Sequence, residues 1–428
     1  MPEPPARPGE KPDFSQLELP QAGEAPRPPV DGDAAEMHDL AFSLVRVLDP
    51  KHKAVGDWDP KLDAETLRTG LRHMLLLRIY DDRMQTLQRT GKLSFYMKSL
   101  GEEAVAIAQG MALRDEDILF PSYRQPGLQL VRGRDLVDMM CHCISNQRDN
   151  AKGRQMPVHY TWREGNFVSI SSPVGTQFPQ AVGAAMAFAY RGEENVAISW
   201  VGDGTAAEGD FHYAINFAAV YRAPVILNVV NNQWAISTHM NISIGGATFA
   251  ARGIAYGLPS IRVDGNDFLA LYAVTQWAAE RARQGLGATF IEVFTYRGEA
   301  HSTSDDPTRY RPKDEWKSWP LGDPIERLKA HLKAIGEWDN KKHKALENEL
   351  NELVEAGTTF VVGGFQEPFE IGGSQLWSPA GVQHADRPGI LHLLLLSRSG
   401  LDQADRLSCN GWRLKKRECF AEQPVQFE

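Results

Sequence analysis

Leucine, isoleucine and methionine recur at helical spacing in "AETLRTGLRHMLLLRIYDDRMQTLQRT" (residues 64–90), directly behind Asp63, whose side chain suits an N-cap. The pattern predicts a long helix there. "SFYMKSLGEEAVAIAQGMAL" reads as a loop entering a second helix, and "ILFPSYRQPG" as a short strand followed by a turn. Periodicity then stops: "NQRDNAKGRQMPVHYTWREGNFVSISSPVGTQ" is polar and irregular, and loops of that length usually have a task. Small residues dominate "FPQAVGAAMAFAY", a helix fit for close packing. After it, strand-length apolar runs alternate with a helical one: "NVAISWV", "AEGDFHYAINFAAVYR", "PVILNVV" and, later, "TFIEVFTYR". This alternation predicts an α/β fold, a doubly wound and mostly parallel sheet flanked by helices. The charged amphipathic stretch "PIERLKAHLKAIGEWDNKKHKALENELNELVEA" predicts surface helices that close this domain.

Both ends depart from this grammar. Residues 1–40, rich in proline, predict an extended arm able to lie along a partner surface in an assembly. The α/β domain is expected to fill residues 41–357. From Thr358 to residue 428, glycine and proline clusters and isolated apolar residues replace helical period, as in "FVVGGFQEPFEIGGSQLW". This stretch is expected to be a poorly ordered tail, out of register with the rest as a reading-frame change near residue 356 would produce.

Composition narrows the function. A net charge of −9 carries no basic footprint, so nucleic acid is not an expected partner. No apolar run approaches the roughly 18 residues of a membrane span, and the N-terminus lacks the apolar core of a secretory signal. The four cysteines show no CxxC pair, which points to free thiols in a reducing compartment, the cytoplasm. Cys141, His142 and Cys143 sit on the apolar run "DLVDMMCHCISN" and are expected to be packed rather than metal-bound.

One short stretch raises a chemical question. "WVGDGTAAEG" places Asp203 between two glycines where a strand becomes a helix, a place where chains commonly receive phosphate. "GDGTAA" fits the dinucleotide fingerprint G-x-G-x-x-A, but that fingerprint wants an acid at the end of the second strand. Here the second strand ends in Val230, Asn231 and Asn232, and Asp203 would itself repel a pyrophosphate. A cation resolves both objections. In a parallel βαβ unit the ends of neighbouring strands share one sheet edge, so Asp203 and Asn232 can converge as hard oxygen donors suited to Mg²⁺. The carboxylate then holds a cation that holds a diphosphate.

GDG followed after about 27 residues by NN resembles the motif of thiamine diphosphate enzymes. "PSYRQPG", "KGRQMPVHY", "ISSPVGTQFPQAVGAAMA", "NNQWAIST" and "YRGEAHSTSDDPTRYR" extend the resemblance. Together they are similar to the α subunit of 2-oxo acid dehydrogenases, the decarboxylating component, over roughly residues 40 to 355. "SFYMKSLGEEA" and "HSTSDD" resemble the branched-chain member more than the pyruvate member. The resemblance implies thiamine diphosphate, Mg²⁺ and K⁺ as cofactors. It makes Asp203, Asn232 and the backbone carbonyl of Trp234 the Mg²⁺ ligands, with Gly202 completing the motif. It assigns Tyr123, Arg124, Gly204, Thr205 and His301 to the diphosphate. Ser172 and Val174 fall beside the aminopyrimidine. Ser171, Pro173, Thr176 and Gln177 match a loop that cages K⁺. Phe95 and Tyr123 are implied in the substrate pocket, and His301, in a segment expected to be mobile, in catalysis. Two positions depart from the pattern: Ser122, where glutamine is frequent, and Val230, where relatives carry an arginine that contacts phosphate.

The chain holds one GDG…NN domain and no second α/β half. The resemblance therefore implies a β subunit supplying the activating glutamate, an α₂β₂ heterotetramer, and a lipoyl-bearing acyltransferase as the acceptor component. The substrate class is a small branched-chain 2-oxo acid such as 3-methyl-2-oxobutanoate. Pyruvate or acetoin dehydrogenase α subunits are the nearest alternatives, and a non-catalytic nucleotide-binding chain the distant one.

Overall fold

The computed structural model describes residues 3–363. Five strands, β1 (Ile118–Phe120), β2 (Ala197–Gly202), β3 (Val225–Asn231), β6 (Ser260–Asp264) and β7 (Thr289–Phe294), form one sheet; β4 (Trp234–Ala235) and β5 (Thr238–His239) make a small antiparallel ribbon. The sheet order is β1-β2-β3-β7-β6 and every pairing is parallel, as the alternation of runs requires.

Each central strand is buried on both faces, which is why its sequence reads as a continuous apolar run. Successive residues serve opposite layers. Ala197, Val201, Leu227 and Val229 pack with Phe178, Phe211 and Ile215 of helices Gln177–Arg191 and Gly209–Val220. Ile198, Trp200, Ile226 and Val230 join the larger core with Ile107, Val274 and Trp277 of helices Glu103–Met111 and Phe268–Arg283. Polar atoms in this second layer are mutually satisfied. Trp200 Nε1 donates to Gln109 Oε1 at 2.6 Å, and Gln109 Nε2 donates to Asn228 Oδ1 at 2.8 Å.

The long N-terminal helix spans Ala64–Arg89 and is capped by Asp63 through the Thr66 amide, as expected from sequence. The charged stretch forms helices Pro324–Ala334 and Asn340–Val362. The second continues through Thr358, which is buried and donates its hydroxyl to Val354. Helical structure therefore runs past the boundary expected at residue 357, and the remainder of the expected tail lies outside the described residues. The N-terminal arm lies along its own chain: Phe14 meets Tyr296 and Trp319 edge-on at 5.9 and 5.3 Å, and the arm ends in a 3-10 helix, Ala34–Ala41. Among the described residues, no helix is long and apolar enough to cross a membrane.

A candidate thiamine diphosphate and cation site at the carboxyl edge of the sheet

Parallel strands deliver their carboxyl ends to one edge, the usual place for ligands in such sheets. β1 runs into Pro121–Gly127, β2 into Asp203, β3 into Asn232 and β7 into the segment holding Arg297 and His301. Gly202 pairs with Val230 in register, so Asp203 and Asn232 follow adjacent strand ends. The chain then turns tightly in a single 3-10 turn, Gly204–Ala207, before helix Gly209–Val220 begins. A side chain at Gly204 would place its Cβ 2.6 Å from that of Ala235, so only glycine permits this approach of the turn to the ribbon.

Asp203 is buried. Its Oδ1 accepts the Gly204 amide at 2.8 Å, while Oδ2 finds no protein partner. Burial pushes its carboxyl up to about 7, partly offset by that amide and by the nearby charge of Arg297. A buried carboxylate oxygen without a donor is costly, and a hard cation is one partner that would satisfy it. Asn232, also buried, donates from Nδ2 to Glu102 Oε1 at 2.9 Å and accepts the Trp234 amide on Oδ1 at 3.3 Å. The Trp234 carbonyl accepts Arg297 Nη1 at 2.7 Å, leaving it one lone pair.

Around these oxygens sits positive charge. Arg124, 4% exposed, donates Nη1 to the Lys98 carbonyl and Nη2 to the His301 carbonyl, both at 2.5 Å; the same Nη2 lies 3.3 Å from His301 Nδ1. Arg297, 1% exposed, also donates to Ile236 O and to Tyr310 OH, each at 2.8 Å. Burial and the neighbouring Arg124 bring its guanidinium down to about 10, so it stays charged at neutral pH. Burial, Arg124 and Arg297 together push the His301 imidazole down to about 3. The Tyr123 ring stands edge-on to His301 at 5.8 Å, and burial raises its phenol.

The segment expected to be mobile around His301 is hydrogen-bonded at both ends. Its His301 amide donates to Asp305 Oδ2 at 2.8 Å, and Thr303 exchanges bonds with Tyr96 at 2.9 and 3.0 Å. Ser172, Pro173 and Val174 are exposed, whereas Gln177 is buried with Nε2 on the Trp200 carbonyl at 2.9 Å and Oε1 without a protein partner. Thr176 donates its hydroxyl to the Pro173 carbonyl at 3.3 Å, and Ser171 is half-buried in the same loop. Thr205 is buried at the start of the 3-10 turn. Phe95 is half-buried against the same core as Tyr123. Val230 is buried in the larger core and brings no charge to the edge; Arg124 and Arg297 carry the positive charge there.

Sequence reasoning missed Glu102, Arg297 and Arg311. Arg311 ties the loop back by donating to the Arg297 and Glu299 carbonyls at 2.7 and 2.8 Å. Their signal was present, since Glu102 lies in "GEEA" and both arginines in "YRGEAHSTSDDPTRYR", but only the fold shows that these side chains turn inward. His142 pairs with Asp149 at 3.0 Å and Cys143 with the Tyr160 hydroxyl at 3.1 Å, a packed cluster as expected. Among the described residues no group of three or more His, Cys, Asp or Glu could hold a metal; the Asp203 edge offers one carboxylate with amide and carbonyl oxygens.

This fold and edge define a dehydrogenase E1 component, and the chain belongs to that family, matching the model described as "Dehydrogenase E1 component" over residues 71–362. Residues 1–35 match a second model, "2-oxoisovalerate dehydrogenase E1 alpha subunit N terminal". The chain is 56% identical over 355 residues to the 2-oxoisovalerate dehydrogenase subunit alpha of Pseudomonas aeruginosa, covering 83% of this chain and 87% of that protein. It is 42% identical to the mitochondrial 2-oxoisovalerate dehydrogenase subunit alpha of Bos taurus, covering 73% and 69%, and 43% identical to that of Caenorhabditis elegans, covering 70% and 71%.

Proposed function

We propose that this chain is the α subunit of a branched-chain 2-oxo acid dehydrogenase. It takes part in oxidative decarboxylation of 3-methyl-2-oxobutanoate and related acids, and in reductive acylation of a lipoyl group on an acyltransferase component. The carrying observation is Asp203: buried, with one carboxylate oxygen unpaired, on the edge that also bears Asn232, Arg124 and His301.

Asp203, the Asn232 carboxamide oxygen and the Trp234 carbonyl would hold Mg²⁺, and Arg124, Tyr123, Gly204, Thr205 and His301 the diphosphate of the cofactor. Gln177 Oε1, with Ser171, Pro173 and Thr176, suits K⁺, because a buried acceptor without a donor favours a cation. When bound, thiamine diphosphate supplies the electron sink for loss of CO₂. The chain's own groups bind and orient it. Buried Arg124 and Arg297 offset negative charge, and His301, kept neutral, steers the acyl group toward the lipoyl acceptor.

The exposed loop at Ser172–Val174 and the exposed face of Tyr213, Phe217, Val220 and Tyr221 support a partner chain completing the site, a β subunit in an α₂β₂ assembly. Cytoplasmic residence fits the buried free thiols Cys141 and Cys143 and the bacterial relative.

The test is co-expression with a β chain and turnover on 3-methyl-2-oxobutanoate against pyruvate. Preference for the branched acid, absent from the lone chain, is expected; equal or better use of pyruvate would replace this reading with a pyruvate dehydrogenase.

A further inference from the structure

Two consecutive glutamates part company at the start of helix Glu103–Met111. Glu103 turns back, accepting the Gly101 amide at 3.0 Å and pairing with Arg78 at 2.7 Å. Glu102, at the N-cap position, makes no capping bond. Its Oε1 instead accepts Asn232 Nδ2 at 2.9 Å and lies 3.8 Å from Arg124 Nε. Glu102, Asn232 and Arg124 are 2%, 7% and 4% exposed, so these bonds are made where water cannot replace them.

We infer that Glu102 is a positioning residue that fixes which end of the Asn232 carboxamide faces the cation. The inference rests on the cation site proposed above. A carboxamide has a donor end and an acceptor end, and only the oxygen binds a hard cation. Glu102 Oε1 faces two donors, Asn232 Nδ2 and Arg124 Nε, so it acts as an acceptor and pairs with the NH₂ end. Reversing the amide would set the Asn232 oxygen against the Glu102 oxygen inside the protein and lose a charge-assisted bond. Oδ1 is thereby turned the other way, where the Trp234 amide already meets it. An outer partner orienting a metal ligand in this manner commonly controls about 10–100-fold in metal affinity.

The experiment uses the full chain co-expressed with its β chain, Mn²⁺ as the probe ion, and free Mn²⁺ read by electron paramagnetic resonance with thiamine diphosphate present. Glu102→Ala should weaken Mn²⁺ binding about 10–100-fold. Glu102→Gln offers a donor as well as an acceptor, so it no longer forbids the reversed amide, and Mn²⁺ binding should weaken there too, by about tenfold. Asn232→Asp placed on Glu102→Ala should regain affinity and raise it more than Asn232→Asp does alone, because a carboxylate presents an oxygen whichever way it is turned; equal gains in the two backgrounds would overturn the inference. Melting temperatures check folding, and a Glu102→Ala chain that does not fold leaves Glu102→Gln to decide, since wild-type affinity there overturns the inference. Unchanged affinity in a folded Glu102→Ala also overturns it while the cation site stands. Absence of Mn²⁺ binding by the wild type would remove the cation site and this inference together.

Discussion

His301 Nδ1 is the acceptor of a hydrogen bond from Arg124 Nη2, at 3.3 Å. Arginine has no acceptor to offer, so Nδ1 carries no proton and the neutral ring bears its hydrogen on Nε2. Burial, reinforced by the charges of Arg124 and Arg297, keeps that ring neutral, with its protonation moved down to about 3. The site therefore presents a fixed N–H donor.

A carboxamide can copy one ring nitrogen but not the other. His301→Gln places its amide near Nε2 and should retain more turnover than His301→Asn, whose amide falls near Nδ1. Both should lose about 10²–10⁴-fold if His301 handles a proton in transfer. Rates with a dye acceptor and with the lipoyl protein give the measurement, and the deficit should be larger with the lipoyl protein. Equal, near-normal rates in both assays would reduce His301 to a loop residue.

Arg124→Lys removes the fork while keeping the charge. A lysine cannot reach the Lys98 carbonyl and the His301 carbonyl together, and losing a charge-assisted bond costs about 1.5–3 kcal/mol. Thiamine diphosphate affinity should fall about 10–100-fold by calorimetry, and the His301 imidazole should titrate higher by NMR. A lysine variant matching the wild type on both would show the fork to be idle.

Gly204→Ala should damage cofactor binding through sterics alone, because its Cβ would meet the Ala235 Cβ at 2.6 Å. Adding Ala235→Gly opens the space and should restore most of the affinity. If the double variant binds no better than Gly204→Ala, the close approach is not the cause.

His73 gives the stability a pH dependence of definite sign. Burial, with Arg72 nearby, holds it down to about 4, and its Nδ1 has no partner. The unfolded chain takes up this proton near 6.5 and the folded chain only near 4, so between those values the unfolded state binds more protons and stability falls as pH falls. Asp81, raised by burial to about 7, works in the opposite direction over an overlapping range, so the His73 part must be isolated by substitution. His73→Leu should raise the melting temperature relative to the wild type more at pH near 5 than near 8. A difference independent of pH would contradict the assignment.

The strand–helix alternation, the Asp63 cap and the edge carrying Asp203 and Asn232 were legible because short-range pattern dictates them. β6 and helix Phe268–Arg283 were not. β6 reads "SIRVD", broken by charges, since Arg262 and Asp264 are absorbed by Glu292, Arg46 and Arg327 brought from elsewhere in the chain. The helix is buried over most of its surface, from Phe268 through Val274 to Ala282, so no polar stripe marked its period. Glu102 was illegible for another reason: nothing local separates it from Glu103, and their division of labour depends on Asn232 and Arg78, which only the tertiary structure brings near.

Around its prolines the N-terminal arm offers carbonyls without amide hydrogens, and the body answers with donors: Trp58 Nε1 to Pro26 O at 3.2 Å, Trp277 Nε1 to Pro28 O at 3.0 Å, and Arg281 Nη1 to Val30 O and Gly32 O at 2.6 and 2.9 Å. Trp277 and Arg281 lie 249 and 251 residues downstream of Pro28 and Val30. The arm's seat is thus built from residues about 250 positions further along the chain and cannot form before they are in place. Such contacts, distant in sequence, close a long loop of chain, and the arm acts as a strap that ties the start of the described fold to helix Phe268–Arg283.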